Sequence, residues 1–169
     1  MANTFELIAS STVPAGGSAA ISFSSIPATF TDLCLKFSGR SDYSGNDNTM
    51  NILLNGSSTT FTVKTVFGDG SSASSQSATT NQYISWLPAA TATANTFGNS
   101  EIYFPNYASS NQKSFSADTT TENNGTAVYI GLIAGLWSGT AAINAISINS
   151  RNGNFVQYSS AYLYGVKNA

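Results

Sequence analysis

The chain has 169 residues, 41% hydrophobic but only 8% charged, with a formal net charge of −2. That length holds one domain with a sizeable core, and the charged fraction is far below the roughly 25% of an ordinary soluble domain. Six scattered cations (Lys36, Arg40, Lys64, Lys113, Arg151, Lys167) exclude the dense basic surface of a nucleic-acid binder, the single Cys34 excludes an intrachain disulfide, and the lack of histidine excludes Ser-His-Asp and Cys-His catalysis.

Short apolar or alternating runs recur along the chain, each closed by turn residues. "TFELIAS" (4–10) leads through the turn "VPAGG" to "SAAISFSSI" (18–26). "DLCLKFSGR" (32–40) carries the clearest strand pattern, with Leu33, Leu35 and Phe37 on one face and Cys34, Lys36 and Ser38 on the other. "TMNILLNG" (49–56) ends in Asn55-Gly56, a strong hairpin dipeptide, so "TTFTVKTVFG" (59–68) is expected to return beside it. The Ser-rich stretch 69–81 is expected to be an exposed, mobile loop.

Further strands are predicted at "QYISWLP" (82–88), "SEIYFPN" (100–106), "KSFSADTTT" (113–121), "TAVYIGLIAGLW" (126–137), "AAINAISINS" (141–150) and "FVQYSSAYLYGVK" (155–167). No segment shows a capped helical stripe. The spacing predicts an all-β fold, a single antiparallel β-sandwich spanning 1–169, jelly-roll-like, with about ten strands. The first and last runs are candidates to pair, and Pro27 and Pro105 are expected at strand ends or bulges. "MANTFELIASS" has no secretory pattern, and the apolar run at 127–137 is too short to cross a bilayer, so the chain is expected to fold in a cytoplasm without membrane contact.

Three kinds of site compete. Paired carboxylates could serve glycoside hydrolysis, but Glu6, Asp32, Asp42, Asp47, Asp69, Glu101, Asp118 and Glu122 are few and mostly sit at turns. "SGRSDYSGNDNTMN" (38–51) offers Asp42, Asn46, Asp47 and Asn48 as oxygen ligands for calcium, without the spacing of a helix-loop-helix calcium loop. The plainer reading makes this stretch a connection at the sandwich rim, with Arg40 and Asp42 paired across the turn. Among the aromatics, Trp86, Trp137, Tyr103, Tyr107, Tyr158 and Tyr164 are candidates for stacking on sugars or on a neighbouring subunit, with Trp86, Trp137, Tyr103 and Tyr107 foremost. The competing reading places them in the core. Neither GxxxxGK[ST] nor GxGxxG occurs, and no cofactor is expected.

Three blocks carry a resemblance: "FSSIPATFTDLCLKFSGRSD" (23–42), "LPAATATANTFGNSEIYFPNYASSNQKSF" (87–115) and "AGLWSGTAAINAISINSRNGNFVQYSSAYLYGVK" (134–167). The chain resembles, almost end to end, small virion-associated proteins of tailed bacteriophages, especially those of aquatic and cyanobacterial phages. Ile26, Pro27, Asp32 and Leu33, the "GRSD" exit, "EIYFPNY" and "YLYGVK" bear it. The resemblance implies a non-enzymatic virion protein, either a capsid decoration (cement) protein or a tail or fibre domain that adsorbs to host carbohydrate. With no coiled-coil stalk or shaft repeat in the sequence, decoration of the outer capsid surface is the first expectation, with the major capsid protein and itself, as a homotrimer, for partners.

Overall fold

The computed structural model of the chain describes residues 4–80, 83–125 and 128–167. Gln82 and residues 126–127, where two of the predicted strands begin, lie outside them, as does Asn81 at the end of the predicted loop. Twelve strands and no helix occur among the described residues.

The first half contributes β1 (Phe5–Thr12), β2 (Ala20–Phe23), β3 (Asp32–Gly39), β4 (Asp47–Leu54), β5 (Phe61–Gly68) and β6 (Ala73–Ala78). The second contributes β7 (Ser85–Pro88), β8 (Gly98–Phe104), β9 (Lys113–Thr120), β10 (Ile130–Trp137), β11 (Ile146–Ser150) and β12 (Ser160–Val166). They form an eight-stranded sheet, β1-β12-β3-β8-β9-β10-β5-β6, and a four-stranded sheet, β2-β11-β4-β7, with every pairing antiparallel.

The pairings define the path. β1, β2, β3 and β4 alternate between the sheets, and each lies beside its partner β12, β11, β8 or β7. The chain is thus one long hairpin rolled around a core, which is a jelly roll. Two further hairpins, β9–β10 and β5–β6, widen the larger sheet beyond β8. The termini pair as expected, from Phe5 opposite Val166 to Thr12 opposite Ser160. Leu33, Leu35, Phe37, Phe104 and Leu163 face Ile21, Ile52, Leu54 and Ile148 across an apolar interior.

Two expectations fail, both for physical reasons. Asn55 and Gly56 do form a tight turn, with φ of 52° and 75°, and Leu54 and Ser57 exchange backbone hydrogen bonds. But β4 and β5 belong to different sheets, so the chain leaves this turn across the sandwich instead of returning alongside. Asn55 instead clamps the 142–145 segment. Its Nδ2 donates to Ala142 O at 2.8 Å, and its Oδ1 accepts from Asn144 and Ala145 N–H at 2.8 and 3.1 Å. The expected loop 69–81 holds strand β6, which pairs with β5 as an exposed edge. Asp69 caps that hairpin, accepting from the Ser71 and Ser72 amides at 2.9 and 2.7 Å, and these bonds depress its carboxyl below the usual range. The sequence "DG" at 69–70, with Gly70 at φ 85°, was the readable signal.

Where β7 meets β8 and β9 the packing turns polar. The hydroxyls of Ser85, Ser100 and Thr119 bond one another, and Trp86 N–H donates to Thr119 Oγ1 at 3.2 Å. All three are buried. Hydroxyls that satisfy one another can enter a core without the cost of an orphaned polar group.

Candidate functional site

Strand β10, "IGLIAGLW", reads in sequence as a uniformly apolar segment. In the fold Gly131, Ile133, Gly135 and Trp137 face inward, and Ile130 and Leu132 face outward. Gly131 and Gly135 are buried beneath the Trp86 and Phe115 rings, and a Cβ on either would lie 2.7 Å or 2.0 Å from ring carbons. A glycine inside a strand costs roughly 0.5–1 kcal/mol. Burying an aromatic side chain removes about 150–250 Å² from water, on the order of 4–6 kcal/mol, so the rings win the inner face.

The consequence appears on the outer face. Ile130 and Leu132 are 66% and 67% exposed, and their neighbour Val66 on β5 is 59% exposed. Leu132 lies directly opposite Val66, and Ile130 opposite Gly68. With Phe67 and Ala73 they border an open depression of about 270 Å³. Such side chains on an inner strand of a sheet have no internal partner, and clustered apolar exposure of this kind is typical of contact surfaces. A second exposed apolar pair, Phe5 and Leu7 on β1, lies at the opposite edge of the same sheet.

Between these ends the outer face is ordered in cross-strand rows. One row runs Ser10, Tyr162, Lys36, Glu101, Asp118, Leu132, Val66, Ser75. The next runs Leu7, Tyr164, Cys34, Tyr103, Ser116, Ala134, Lys64, Ser77. Lys36 Nζ pairs with Glu101 Oε2 at 2.8 Å, across half-exposed side chains. A groove of about 350 Å³ opens beside this pair, bordered by Tyr162, Ser38, Asn99 and Asp118.

Cys34 also points to this face, yet it is fully buried, flanked in register by Tyr164 and Tyr103. Burial, reinforced by the Glu101 charge, pushes its thiol up to about 11. Tyr103 is anchored, its hydroxyl donating to Asp32 Oδ2 at 2.6 Å while Asn106 N–H donates to Asp32 Oδ1 at 2.8 Å. The hydrogen bond to that carboxylate, with burial behind it, raises the Tyr103 phenol to about 12.

The foremost aromatic candidates are largely interior. Trp86 stacks between Phe67 and Tyr129, with ring centroids at 5.2 and 5.8 Å, and Trp137 is equally enclosed. Tyr107 is wholly buried, with its hydroxyl on Pro27 O. All three fill the core, Trp86 over Gly131 and Trp137 over Gly139, and they offer little surface to a glycan or subunit. Tyr103 is half-buried and committed to Asp32. Of the other two aromatics, Tyr158 is exposed and Tyr164 half-buried.

The calcium candidates are not assembled as a cation site. Both Asp42 oxygens face N–H donors of Asn154, at 2.6 and 3.3 Å, where a cation would need the oxygens free. The Asn46 carbonyl accepts from Ala89 N–H, and Asp47 opens β4 opposite Pro88, its carboxyl raised by burial. Among the described residues no three His, Cys, Asp or Glu side chains gather to hold a metal.

Arg40 does not pair with Asp42. It is buried, and its guanidinium donates to the carbonyls of Thr93, Thr96, Ala90 and Ala92 at 2.8, 3.1, 3.4 and 3.0 Å. A loop that turns its carbonyls inward thus finds one cation with a rigid fork of donors. Of the acids, only Glu101 and Asp118 are brought directly opposite on adjacent strands of this face.

No protein-family model and no curated protein matches the chain.

Proposed function

We propose that the chain is a non-enzymatic virion structural protein, a decoration protein that docks on capsid coat subunits and stabilises the assembled shell. The observation that carries this reading is the outward-facing apolar cluster of Val66, Ile130 and Leu132, large aliphatics exposed on inner strands of the larger sheet. Exposed apolar area of this kind suits docking on a preformed surface, and it needs no steering charge. The resemblance to small virion proteins of tailed phages supports the same class. A ligand that binds only the assembled state shifts the equilibrium toward it, which is how a decoration protein strengthens a shell.

Self-association as a homotrimer belongs to the same proposal, since β1 and β6 leave both edges of the larger sheet open to a neighbour. The competing adsorption role in a tail or fibre rested on Trp and Tyr side chains at the surface, and the burial of Trp86, Trp137 and Tyr107 removes three of its four foremost candidates. Electron microscopy of purified virions, with quantified copy number, tests the reading. Hundreds of copies on the head are expected; a few copies confined to the tail would refute it.

A further inference from the structure

We propose that the groove between Tyr162, Glu101 and Asp118 is a binding site for a neutral carbohydrate chain. It is a different place from the buried tryptophans, and the inference is independent of a capsid role. The groove of about 350 Å³ falls within the roughly 300–1,000 Å³ of small-ligand sites, and it is open to solvent. Its chemistry comes from four neighbouring strands. Tyr162 on β12, 41% exposed, presents an aromatic ring against which the C–H face of a sugar can pack. Ser38 and Asn99, opposite one another on β3 and β8, supply hydroxyl and amide groups. Glu101 and Asp118 supply carboxylate oxygens, the strongest acceptors for sugar hydroxyls.

The placement of charge argues for a ligand. The chain has only fourteen charged residues (six basic, eight acidic), yet three of them, Lys36, Glu101 and Asp118, border this one groove. Glu101 and Asp118 sit directly opposite on β8 and β9, an arrangement of like charges that weakens a sheet. The fold compensates only half of it. Lys36 holds Glu101 at 2.8 Å, while the exposed Asp118 carboxylate has no hydrogen bond or ion pair among the described residues. An acceptor held open beside a fixed ion pair and an exposed ring is arranged for hydroxyl donors from outside.

Charge also selects the class of sugar. One lysine against two carboxylates leaves the groove net negative, which repels uronates, sialylated chains and phosphorylated glycans. Neutral hexose or N-acetylhexosamine chains remain. The groove ends where the Leu132 cluster begins, since Asp118 lies directly opposite Leu132 on the adjacent strand β10.

The test titrates the isotope-labelled full chain with neutral malto-, cello-, manno- and chito-oligosaccharides and, in parallel, with a polyuronate, following amide shifts. At least one neutral series is expected to shift amides around 36–38, 99–101, 118 and 162. Asp118→Asn, which keeps shape, and Tyr162→Ala are each expected to weaken that binding about tenfold or more, while Tyr158→Ala leaves it unchanged. Thermal melts verify that the variants are folded. The proposal is overturned if no neutral series binds, if the shifts map elsewhere, if the polyuronate binds tighter, or if both variants bind like the parent.

Discussion

Replacing Arg40 with methionine tests what holds the 89–97 loop. Methionine matches the arginine stem in length and flexibility, so packing is largely kept while the donors vanish. Of the carbonyls that Arg40 serves, Ala92 lies in the most buried contact, at 3.0 Å, and the others border solvent and can rehydrate. A bond from a charged donor contributes about 1.5–3 kcal/mol, and the exposed bonds add less. Relief of the guanidinium's own desolvation, which lowers its pKa, works the other way. The net expectation is a loss of about 2–3 kcal/mol, which for a chain of this size lowers Tm by roughly 4–12 °C. Arg40→Lys should recover less than half, because one ammonium cannot reach both the Thr93–Thr96 and the Ala90–Ala92 carbonyls. Urea unfolding gives the free energy, and amide exchange in the loop gives the location. A loss below about 1 kcal/mol, or unchanged exchange across 89–97, would refute the assignment of Arg40 as the anchor of that loop.

Four further outcomes are expected. Leu132→Asp or Ile130→Asp should leave the melting temperature within a few degrees, since both side chains are exposed, yet abolish incorporation into virions in a reconstitution assay. Asn55→Ala should lower stability by about 2 kcal/mol, through three lost hydrogen bonds and a left-handed backbone that alanine disfavours, with Asn55→Gly recovering the backbone share. Alkaline titration should weaken the fold in a defined window. The Cys34 thiol rises from 9.0 to about 11 and the Tyr103 phenol from 10.0 to about 12, so the native state holds both protons more tightly than the unfolded chain. Stability is therefore full below pH 9 and falls as pH climbs through 11 and 12. At pH near 8 a thiol reagent should label Cys34 only after unfolding, because the thiolate fraction alone drops about 100-fold and the group is covered.

Much of the architecture was legible because strands announce themselves locally. The alternation of Leu33, Leu35 and Phe37 needed only the two-residue period of a pleated backbone, and the pairing of the terminal runs was foreseen. Strand β6 was missed because a Ser-rich edge, bare on both faces, lacks the apolar signal on which strand reading depends, although the Asp69-Gly70 turn marked it. The aromatic candidates illustrate the harder limit. A tryptophan at a strand end looks the same whether it faces solvent or a glycine on another strand, and Trp86 faces Gly131, forty-five positions away (131 − 86 = 45).

The sequence by itself determined the class of this protein: all-β, one sandwich, low in charge, without histidine or disulfide chemistry. Those properties follow from composition and from the backbone period, which are local. Only the tertiary structure decided which face each side chain meets. Gly131 and Gly135 yield the interior to rings from β7 and β9, so Ile130 and Leu132 are turned outward, and Arg40 finds carbonyls fifty residues and more along the chain instead of its neighbour Asp42. The candidate surfaces are made of such choices, and each depends on contacts between strands remote in sequence.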